Sequence, residues 1–283
     1  MTRWETPMTV RRLSAGLVAV AIFTPGVAAC TTTGDAGPTP TPSVTTSGSA
    51  AAVDTEAKQA LLDSTREISN GNFRFSMSGA GSVAEGQVHQ PSQSAEIRLR
   101  LGEPTDDLAI SLDLVHAKPD SWVKLDLKGQ AATSVPGVDR LNLGKYHHLD
   151  QNRIRGDRTL GFDFDQVDPA GSKALTEAVT DVRRTGDGAY TGTLDLSKAA
   201  DAGSLDPNLI TTLGAEANSV PFTASTDAQG RLTELVIRLP EAGHAAGQEI
   251  KVTYSDYGNA TEATKPSADQ VVEAPPELYN LFD

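Results

Sequence analysis

Short runs of alternating apolar and polar residues constrain the fold of this chain more than any other feature. In AEIRLRLG, residues 95–102, apolar side chains occupy every second position, and Glu or Arg stands between them. Successive side chains of a strand point to opposite faces of a sheet, so such a run is typical of a strand that buries one face. Similar runs, bounded by turn residues, are NFRFSMSG, GSVAEGQVH, DDLAISLDLVH, SWVKLDLKG, GAYTGTLDLS, VPFTASTD, RLTELVIRLP and QEIKVTYSDYG. Together they predict about nine to eleven antiparallel strands.

Three segments have helical spacing instead. Residues 54–69, DTEAKQALLDSTREIS, repeat apolar side chains at helical intervals behind the predicted N-cap Asp54. GSKALTEAVTDV, residues 171–182, is a second predicted helix, and DPNLITTLG is a third, with Asp206 as N-cap and Pro207 at its first position. These helices are too few to cover one face of so wide a sheet, so a second sheet, curling of the sheet or a ligand must cover the rest. A β-sandwich without a cavity fits the same periodicity.

The first 29 residues have the three-part plan of a secretory signal. Arg11 and Arg12 precede the apolar run LSAGLVAVAIF, whose 11 residues are fewer than the roughly 20 that a membrane-spanning helix needs. Small residues then lead to Cys30, and the stretch VAAC resembles the bacterial lipobox, in which the cysteine is diacylated and becomes the new N-terminus. The sequence predicts a lipoprotein signal peptide over residues 1–29, starting at Met1 or Met8, and Cys30 as the lipid-attachment residue. An ordinary secretion signal with an incidental cysteine is the alternative.

A linker follows the cysteine. Residues 31–53, TTTGDAGPTPTPSVTTSGSAAAV, consist almost wholly of Thr, Ser, Gly, Pro and Ala. They offer too little apolar surface to offset the entropy of ordering, so residues 30–53 are predicted to be the lipidated cysteine and a disordered tether. Residues 54–283 are predicted to be a single domain with a Pro-rich C-terminal tail that lies across the surface.

The formal net charge of −13 argues against nucleic acid as a partner, because nucleic-acid binding rests on Lys and Arg. It also repels the domain from an anionic lipid surface, so membrane attachment must come from the acyl anchor on Cys30, a diacylglycerol group with palmitate-type chains. Cys30 is the only cysteine, so no disulfide stabilises the fold. The predicted location is extracytoplasmic, at the outer face of the cytoplasmic membrane.

No motif of a catalytic or metal site is present in the sequence. No HExxH, paired-cysteine, G-x-S-x-G or Gly-rich phosphate-loop pattern occurs. The sequence therefore predicts no enzyme, no cofactor and no metal, although a pair of glycosidase carboxylates would leave no local signature.

The histidines and one acidic stretch are the remaining polar candidates. Adjacent His147 and His148 would point to opposite faces of a strand, and all five histidines are predicted to be solvated or capping; the others are His89, His116 and His244. GFDFDQVDP brings together Asp163, Asp165 and Asp168 but lacks the glycine and the later Glu of an EF-hand loop, so a solvated acidic loop is predicted.

Taken together, the residues resemble a family. The lipobox, the Thr/Ser/Pro linker, the first helix ending in ISNGNFRFSM, and the closing VPFTASTDAQGRLTELVIRLP with IKVTYSDYG are similar to actinobacterial lipoproteins of the LppX/LprG type. The resemblance covers roughly residues 55–283. It implies an α+β fold related to the LolA and LolB lipoprotein carriers, with a large, curved antiparallel sheet, a half-barrel, and a few helices on its concave face.

The resemblance implies a function as well. It predicts a membrane-anchored extracytoplasmic lipoprotein, acting as a monomer, that binds or carries an acylated lipid or glycolipid in an apolar cavity. The predicted lining residues are Phe73, Phe75, Ile97, Leu99, Leu101, Leu108, Ile110, Leu112, Leu114, Val123 and Leu125. The alternative is a surface lipoprotein that acts as a structural or protein-interaction module without an internal ligand. A continuous apolar cavity favours the first, and a filled core with an exposed patch favours the second.

Overall fold

A computed structural model of the protein describes residues 54–79, 81–103, 105–135, 137–202, 207–241 and 247–282. The predicted signal peptide over residues 1–29, the lipid-attachment residue Cys30 and the rest of the linker lie outside the described residues. The predicted N-cap Asp206 and His244 also lie outside them. The interpretation of these residues therefore remains a prediction.

Twelve strands of the described residues form one sheet. In chain order they are β1 (Asn72–Gly79), β2 (Ser82–His89), β3 (Ser94–Leu101), β4 (Ala109–Ala117), β5 (Asp120–Lys128), β6 (Tyr146–His148), β7 (Val179–Gly186), β8 (Ala189–Leu194), β9 (Val220–Thr226), β10 (Leu232–Leu239), β11 (Gln248–Ser255) and β12 (Val271–Glu273). Across the sheet the order is β12, β6, β5, β4, β3, β2, β1, β11, β10, β9, β8, β7. Each strand from β1 to β5 therefore pairs with the next in a run of hairpins, and β11 returns to the free side of β1.

The predicted fold class is confirmed, because the sheet is large, open and curved and carries few helices. Two details of the prediction were wrong. The sheet has twelve strands. Three of them are not predicted from the sequence: β6 and β12, which have only three residues each, and β7, which begins inside a predicted helix. The sheet is also mixed, because β12 runs parallel to β6 with Val271 opposite Tyr146.

Five α-helices lie in the described part of the chain: α1 (Thr55–Ser64), α2 (Arg66–Ser69), α3 (Ser172–Glu177), α4 (Pro207–Leu213) and α5 (Pro276–Tyr279). Short 3₁₀ segments span Gln90–Ser92, Gln130–Ser134, Val138–Arg140, Leu196–Ala202, Gly214–Ser219 and Ala268–Gln270. Within these described ranges, no helix combines the length and the apolar character that a membrane crossing requires.

Asp54 caps the first helix as predicted. Its Oδ1 accepts a hydrogen bond from the backbone N–H of Ala57 at 3.0 Å, which satisfies one of the free donors at the start of α1. The predicted continuous helix over residues 54–69 is instead interrupted at Thr65, whose hydroxyl donates to the Leu62 carbonyl at 2.9 Å. A hydroxyl that bonds a carbonyl of the preceding turn bends a helix, so one predicted helix becomes α1 and α2.

The second predicted helix, residues 171–182, is helical only in its first half. Helix α3 ends at Glu177, and β7 begins at Val179. Val179 lies opposite Leu194 of β8, and Val182 lies opposite Gly192. β-branched valines suit a pleated, half-buried surface, so pairing with β8 decides the conformation of a stretch whose spacing also fits a helix.

The face of the sheet that carries Phe73 and Phe75, called here the core face, holds two separate apolar clusters. The helix-covered cluster packs α1, α2, α3 and neighbouring segments on the β1 and β7–β11 side; among its closed side chains are Leu61, Ile68, Phe73, Phe75, Leu175, Leu194, Phe222, Leu232, Leu235, Val252 and Tyr254. The loop-covered cluster packs the irregular stretch 130–160 and α5 on β4 and β5; its buried members are Leu112, Leu114, Val123, Leu125, Leu127, Leu141, Leu149, Ile154, Leu160, Leu278 and Tyr279. Each fully buried side chain of this kind contributes about 1.5–3 kcal/mol to stability.

The C-terminal tail crosses the surface only in its first part. The backbone N–H of Ala263 donates to Ser94 Oγ at 2.9 Å, and that of Thr264 donates to Glu96 Oε1 at 2.8 Å. These contacts hold the tail against the outer face, the side of the sheet opposite the core face. After β12, however, α5 places Leu278 and Tyr279 in the loop-covered cluster, so the prediction of a purely superficial tail was wrong.

Candidate functional site

The sheet register brings most of the predicted lining residues onto the core face. Opposite pairs between β3 and β4 are Ile97 with Leu114, Leu99 with Leu112, and Leu101 with Ile110. The same rows continue into β5 through Val123 and Leu125. Phe75 joins them from β1 through Gly86 of β2, and Phe73 lies two residues away on the same face. Leu108 is the exception, because it precedes β4 and belongs to no strand.

The predicted lining residues divide into a closed set and a half-buried set. Six are at most 5% exposed and belong to the two clusters: Phe73, Phe75, Leu112, Leu114, Val123 and Leu125. The other five are half-buried: Ile97, Leu99, Leu101, Leu108 and Ile110. The closed set packs against protein, so only the second set offers apolar surface for a ligand.

The half-buried side chains mark a seam between the two clusters. Ile97 and Leu99 pack against both clusters, from opposite sides. Met77 and Ile250 border the seam on the helix-covered side, and Ile110 borders it on the loop-covered side. The core-face seam is therefore defined as Met77, Ile97, Leu99, Leu101, Ile110 and Ile250, all half-buried. The seam is centred on β3, the strand that neither the helices nor the irregular stretch 130–160 fully covers.

Small residues on β2 shape the floor of the seam. Ala84 lies opposite both Met77 and Leu99, and Gly86 lies opposite both Phe75 and Ile97. A Cβ atom on Gly86 would lie 3.0 Å from the Phe75 ring and 2.3 Å from the Glu96 carbonyl oxygen. No larger residue fits at Gly86, so β2 adds no bulk to the seam beside β3.

One end of the seam meets a buried histidine. His116 lies opposite Ala95 of β3 and Ser121 of β5, and its Nδ1 is 2.9 Å from Ser121 Oγ. His116 is 2% exposed, and its Nε2 has no hydrogen-bond partner among the described residues. Burial lowers the pKa of His116 to about 4, so the ring is neutral near pH 7.

The histidine prediction is partly wrong. His147 is fully buried on the core face opposite Val123, and burial lowers its pKa. His148 points to the other face, as predicted for neighbours in a strand, and lies 3.3 Å from both Asp120 and Glu273. The sequence does not reveal that His116 and His147 are buried. Alternation indicates which face of a strand a residue occupies, but it does not indicate whether a polar side chain on that face is covered.

The acidic stretch is also more structural than predicted. Asp168 receives hydrogen bonds at Oδ1 from the Ser172 N–H and at Oδ2 from the Lys173 N–H, both at 2.9 Å. It thereby holds the start of α3, and burial raises its pKa. Asp163 and Asp165 are exposed, as predicted. No group of ligands that could hold a metal ion occurs among the residues that the structure describes.

The outer face carries an ion-pair ladder and, beside it, a small apolar cluster around Trp122. Asp113 of β4 lies 2.7 Å from Arg98 and 2.8 Å from Lys124, its neighbours on β3 and β5. Burial raises the pKa of Asp113, but hydrogen bonds from Lys124 and Arg98 outweigh burial and lower its pKa below the ordinary value. Between this ladder and the tail lies a groove of about 780 Å³. Its lining mixes charged residues with apolar ones such as Val115 and Tyr146.

No protein-family model matches the sequence, and no curated protein is recognisably similar to it. Among solved structures, the chain matches LprF from Mycobacterium bovis with 14% identity and a TM-score of 0.45, over 76% of this chain and 99% of that chain. LprF is a lipoprotein of the LppX/LprG type, the type that the sequence resembles. At this identity and TM-score, the likeness concerns the fold and transfers no ligand.

Proposed function

We propose that the chain is a membrane-anchored extracytoplasmic lipoprotein that binds an acyl chain of a lipid or glycolipid in the core-face seam. The difference in exposure between apolar side chains on neighbouring strands supports this proposal. Leu99 of β3 is half-buried, whereas Leu112, directly opposite on β4, is fully closed. Covering exposed apolar surface is favourable, and an acyl chain is the ligand that supplies only apolar surface.

The dimensions of the seam favour one chain over several. Six of the residues predicted to line the cavity are already closed by protein, so the remaining apolar surface is the half-buried seam centred on β3. Each methylene that leaves water contributes about 0.8 kcal/mol. Contact along one strand therefore suffices for selective binding of a single long chain. Attachment through Cys30 would hold the domain close to the membrane that supplies such a lipid.

The test is to fill the seam without disturbing the closed core. Leu99→Trp and Ile110→Trp, made separately, each place a large ring in the seam. Ser111→Trp is the matched control, because Ser111 neighbours Ile110 but points to the outer face, opposite Asp126. Binding of a fluorescent acylated lipid and the melting temperature would be measured for each protein.

The expected result is that at least one seam variant loses lipid uptake while its melting temperature stays near that of the wild type. The Ser111→Trp control should keep full uptake. A ring forced into close-packed core costs about 1–3 kcal/mol. If the wild type takes up no lipid and both seam variants are destabilised by that amount, the seam is packed and the acyl-chain proposal is wrong.

The second candidate is a structural or protein-interaction module without an internal ligand. The closure of Phe73, Phe75, Leu112, Leu114, Val123 and Leu125 favours it, because these residues form filled core where the first candidate expects a cavity wall. Native mass spectrometry of the protein purified from its own host separates the two. A co-purified lipid supports the carrier, and its absence together with a bound protein supports the module.

A further inference from the structure

A second cavity lies at the His116 end of the seam, where the two clusters meet. Its volume is about 540 Å³. Ile154 of the loop-covered cluster borders it on one side, and Phe164 of the helix-covered cluster borders it on the other. The seam is apolar, but this cavity is lined by His116, Ser121 and four aspartates.

His116 is the unusual member of this lining. Its Nδ1 is engaged by Ser121 Oγ at 2.9 Å, so the opposite edge of the ring, which carries Nε2, remains for another partner. That atom is buried and has none among the described residues. Leaving a buried polar atom unpaired costs about 1–3 kcal/mol, and a ligand that bonds Nε2 would remove this cost. The half-buried ring of Phe162 lies beside the imidazole, with 5.6 Å between ring centroids.

Two of the carboxylates that line the cavity with His116 accept hydrogen bonds from nearby backbone N–H groups. Asp157 Oδ1 accepts hydrogen bonds from the Thr159 and Leu160 N–H groups, both at 2.7 Å. Asp163 Oδ1 accepts one from the Asp165 N–H at 2.8 Å. Each of Asp157 and Asp163 uses Oδ1 for the loop, which leaves Oδ2 for a ligand.

A glycine locks the loop that carries these aspartates. The Gly161 N–H donates to the Asp157 carbonyl at 3.2 Å. A Cβ atom on Gly161 would lie 2.5 Å from the Ile154 carbonyl oxygen and 2.6 Å from that of Asp157. The loop therefore closes tightly on itself, and this fixes the carboxylates before any ligand binds.

We propose that this cavity binds a small organic ammonium, a primary amine on a short aliphatic chain. In the complex, the ammonium donates hydrogen bonds to His116 Nε2 and to the free oxygens of Asp157 and Asp163, while Nδ1–H of His116 donates to Ser121 Oγ. The aliphatic part packs on the apolar ring of Phe162. Ammonium carries three donors and no acceptor, and it matches a lining in which the free groups are acceptors.

The charge of the cavity favours a cation over an anion. Lys118 and Arg155 line it with Asp120, Asp157, Asp163 and Asp165, so negative groups outnumber positive ones. The low pKa of His116 keeps the ring neutral, and a neutral ring can accept a hydrogen bond from ammonium. The whole chain carries a formal charge of −13, which attracts cations over longer distances.

The test uses 1,4-diaminobutane as the probe and calorimetric titration of the folded wild-type protein at physiological salt. The uncharged isostere 1,4-butanediol controls for shape. Asp163→Asn removes one acceptor charge at an exposed position and should weaken diaminobutane binding about tenfold, the loss of one charge-assisted hydrogen bond. Glu103→Gln is the matched variant, because it removes the same charge from an exposed site in the β3–β4 loop, and its affinity should equal that of the wild type.

His116→Phe is the sharper variant, since it keeps a ring and removes Nε2. It should abolish binding of diaminobutane while leaving acyl-lipid uptake by the seam unchanged. If His116→Phe does not fold, Asp163→Asn and the diol decide alone. The proposal is overturned if the wild type does not bind diaminobutane, if butanediol binds as tightly, or if Asp163→Asn and Glu103→Gln weaken binding equally.

A second arm identifies the source of the amine. Ethanolamine and a short-chain phosphatidylethanolamine present the same ammonium, free or as a lipid headgroup. A free amine is the source if ethanolamine binds and the lipid gains nothing from its acyl chains. A headgroup is the source if the lipid binds more tightly and Leu99→Trp removes the gain. Both outcomes support the ammonium site. The free-amine outcome is independent of the acyl-chain proposal, whereas the headgroup outcome rests on it.

Discussion

The two clusters of the core face stand on the same sheet but are covered by different kinds of chain. Over the helix-covered cluster, α1 places Ala57 and Leu61 on the strands, and Lys58 Nζ reaches the Val179 carbonyl at 2.7 Å. Over the loop-covered cluster, irregular chain and the four-residue α5 do the same work. A sheet with one apolar face needs a cover. The contrast shows that the segment that covers it does not have to be a helix. The core-face seam lies where the two kinds of cover meet.

Deleting residues 274–283 is expected to have the largest effect on stability. The deletion uncovers the loop-covered cluster and leaves the helix-covered cluster covered. The fully buried side chains of Leu278 and Tyr279 are each worth about 1.5–3 kcal/mol, so the loss should be about 3–6 kcal/mol. Hydrogen exchange followed by mass spectrometry should show lost protection in β4 and β5 and preserved protection in β10. Equal loss in all three strands would mean that the two clusters unfold as one unit and do not differ in stability.

Phe73→Ala tests the other cluster. The Phe73 ring lies 5.3 Å from that of Tyr254 and 6.0 Å from that of Tyr257, measured between centroids. Truncation of such a closed side chain costs about 3–5 kcal/mol, and urea unfolding measures it. Hydrogen exchange should increase first in β11, next to β1.

The control for this variant is Leu143→Ala, since Leu143 is a large apolar side chain that is 40% exposed. Its effect should stay within about 0.5 kcal/mol. A cost for Phe73→Ala no larger than that of the control would contradict the packed core described around Phe73.

Asp113→Asn is expected to have a small effect, confined to the strands of the loop-covered cluster. The folded-state pKa of Asp113 is lowered, so its stabilisation is present above the ordinary pKa of 3.8 and is lost as the pH falls through the folded-state value. At pH 7 the variant should be less stable by about 0.5–1 kcal/mol, because the pair is partly exposed to solvent.

Urea unfolding at pH 7 and at pH 2.5 checks the sign, since the difference between the wild type and the Asp113→Asn variant should shrink in acid. Glu234→Gln is the counterpart on the helix-covered side. Glu234 pairs with Lys251 at 2.6 Å, but both side chains are more than a third exposed. Its effect at pH 7 should be smaller, and a larger effect than that of Asp113→Asn would reverse the expected ranking of the two sides.

The sequence predicts the strands well because each satisfies a local rule. The run SWVKLDLKG alternates over its whole length, and β5 spans Asp120–Lys128. The short strands β6 and β12 give no such signal, because three residues cannot establish a period. Val179 is wrongly predicted to be helical for a related reason. Its spacing from Leu175 fits a helix, and only pairing with β8 makes it part of a strand.

The sequence predicts which face of the sheet carries the candidate site, but it does not predict which side chains on that face stay partly exposed. Leu99 and Leu112 lie directly opposite each other and alternate in the same way, yet Leu112 is closed and Leu99 is half-buried. Leu112 belongs to a cluster with Leu149, Leu160 and Leu278, which are remote in sequence. The cavity at His116 has the same origin, because Ile154 and Phe162 come from a loop without periodicity.

The pairing of β12 with β6 also bears on how fast the chain can fold. His148 and Glu273 are 125 residues apart in sequence, and Lys58 and Val179 are 121 apart, whereas β1 to β5 join through short hairpins. Closing a long loop costs more entropy than closing a short one, and folds rich in distant contacts form slowly. We therefore expect docking of the two covers, not formation of the hairpins, to limit the folding rate.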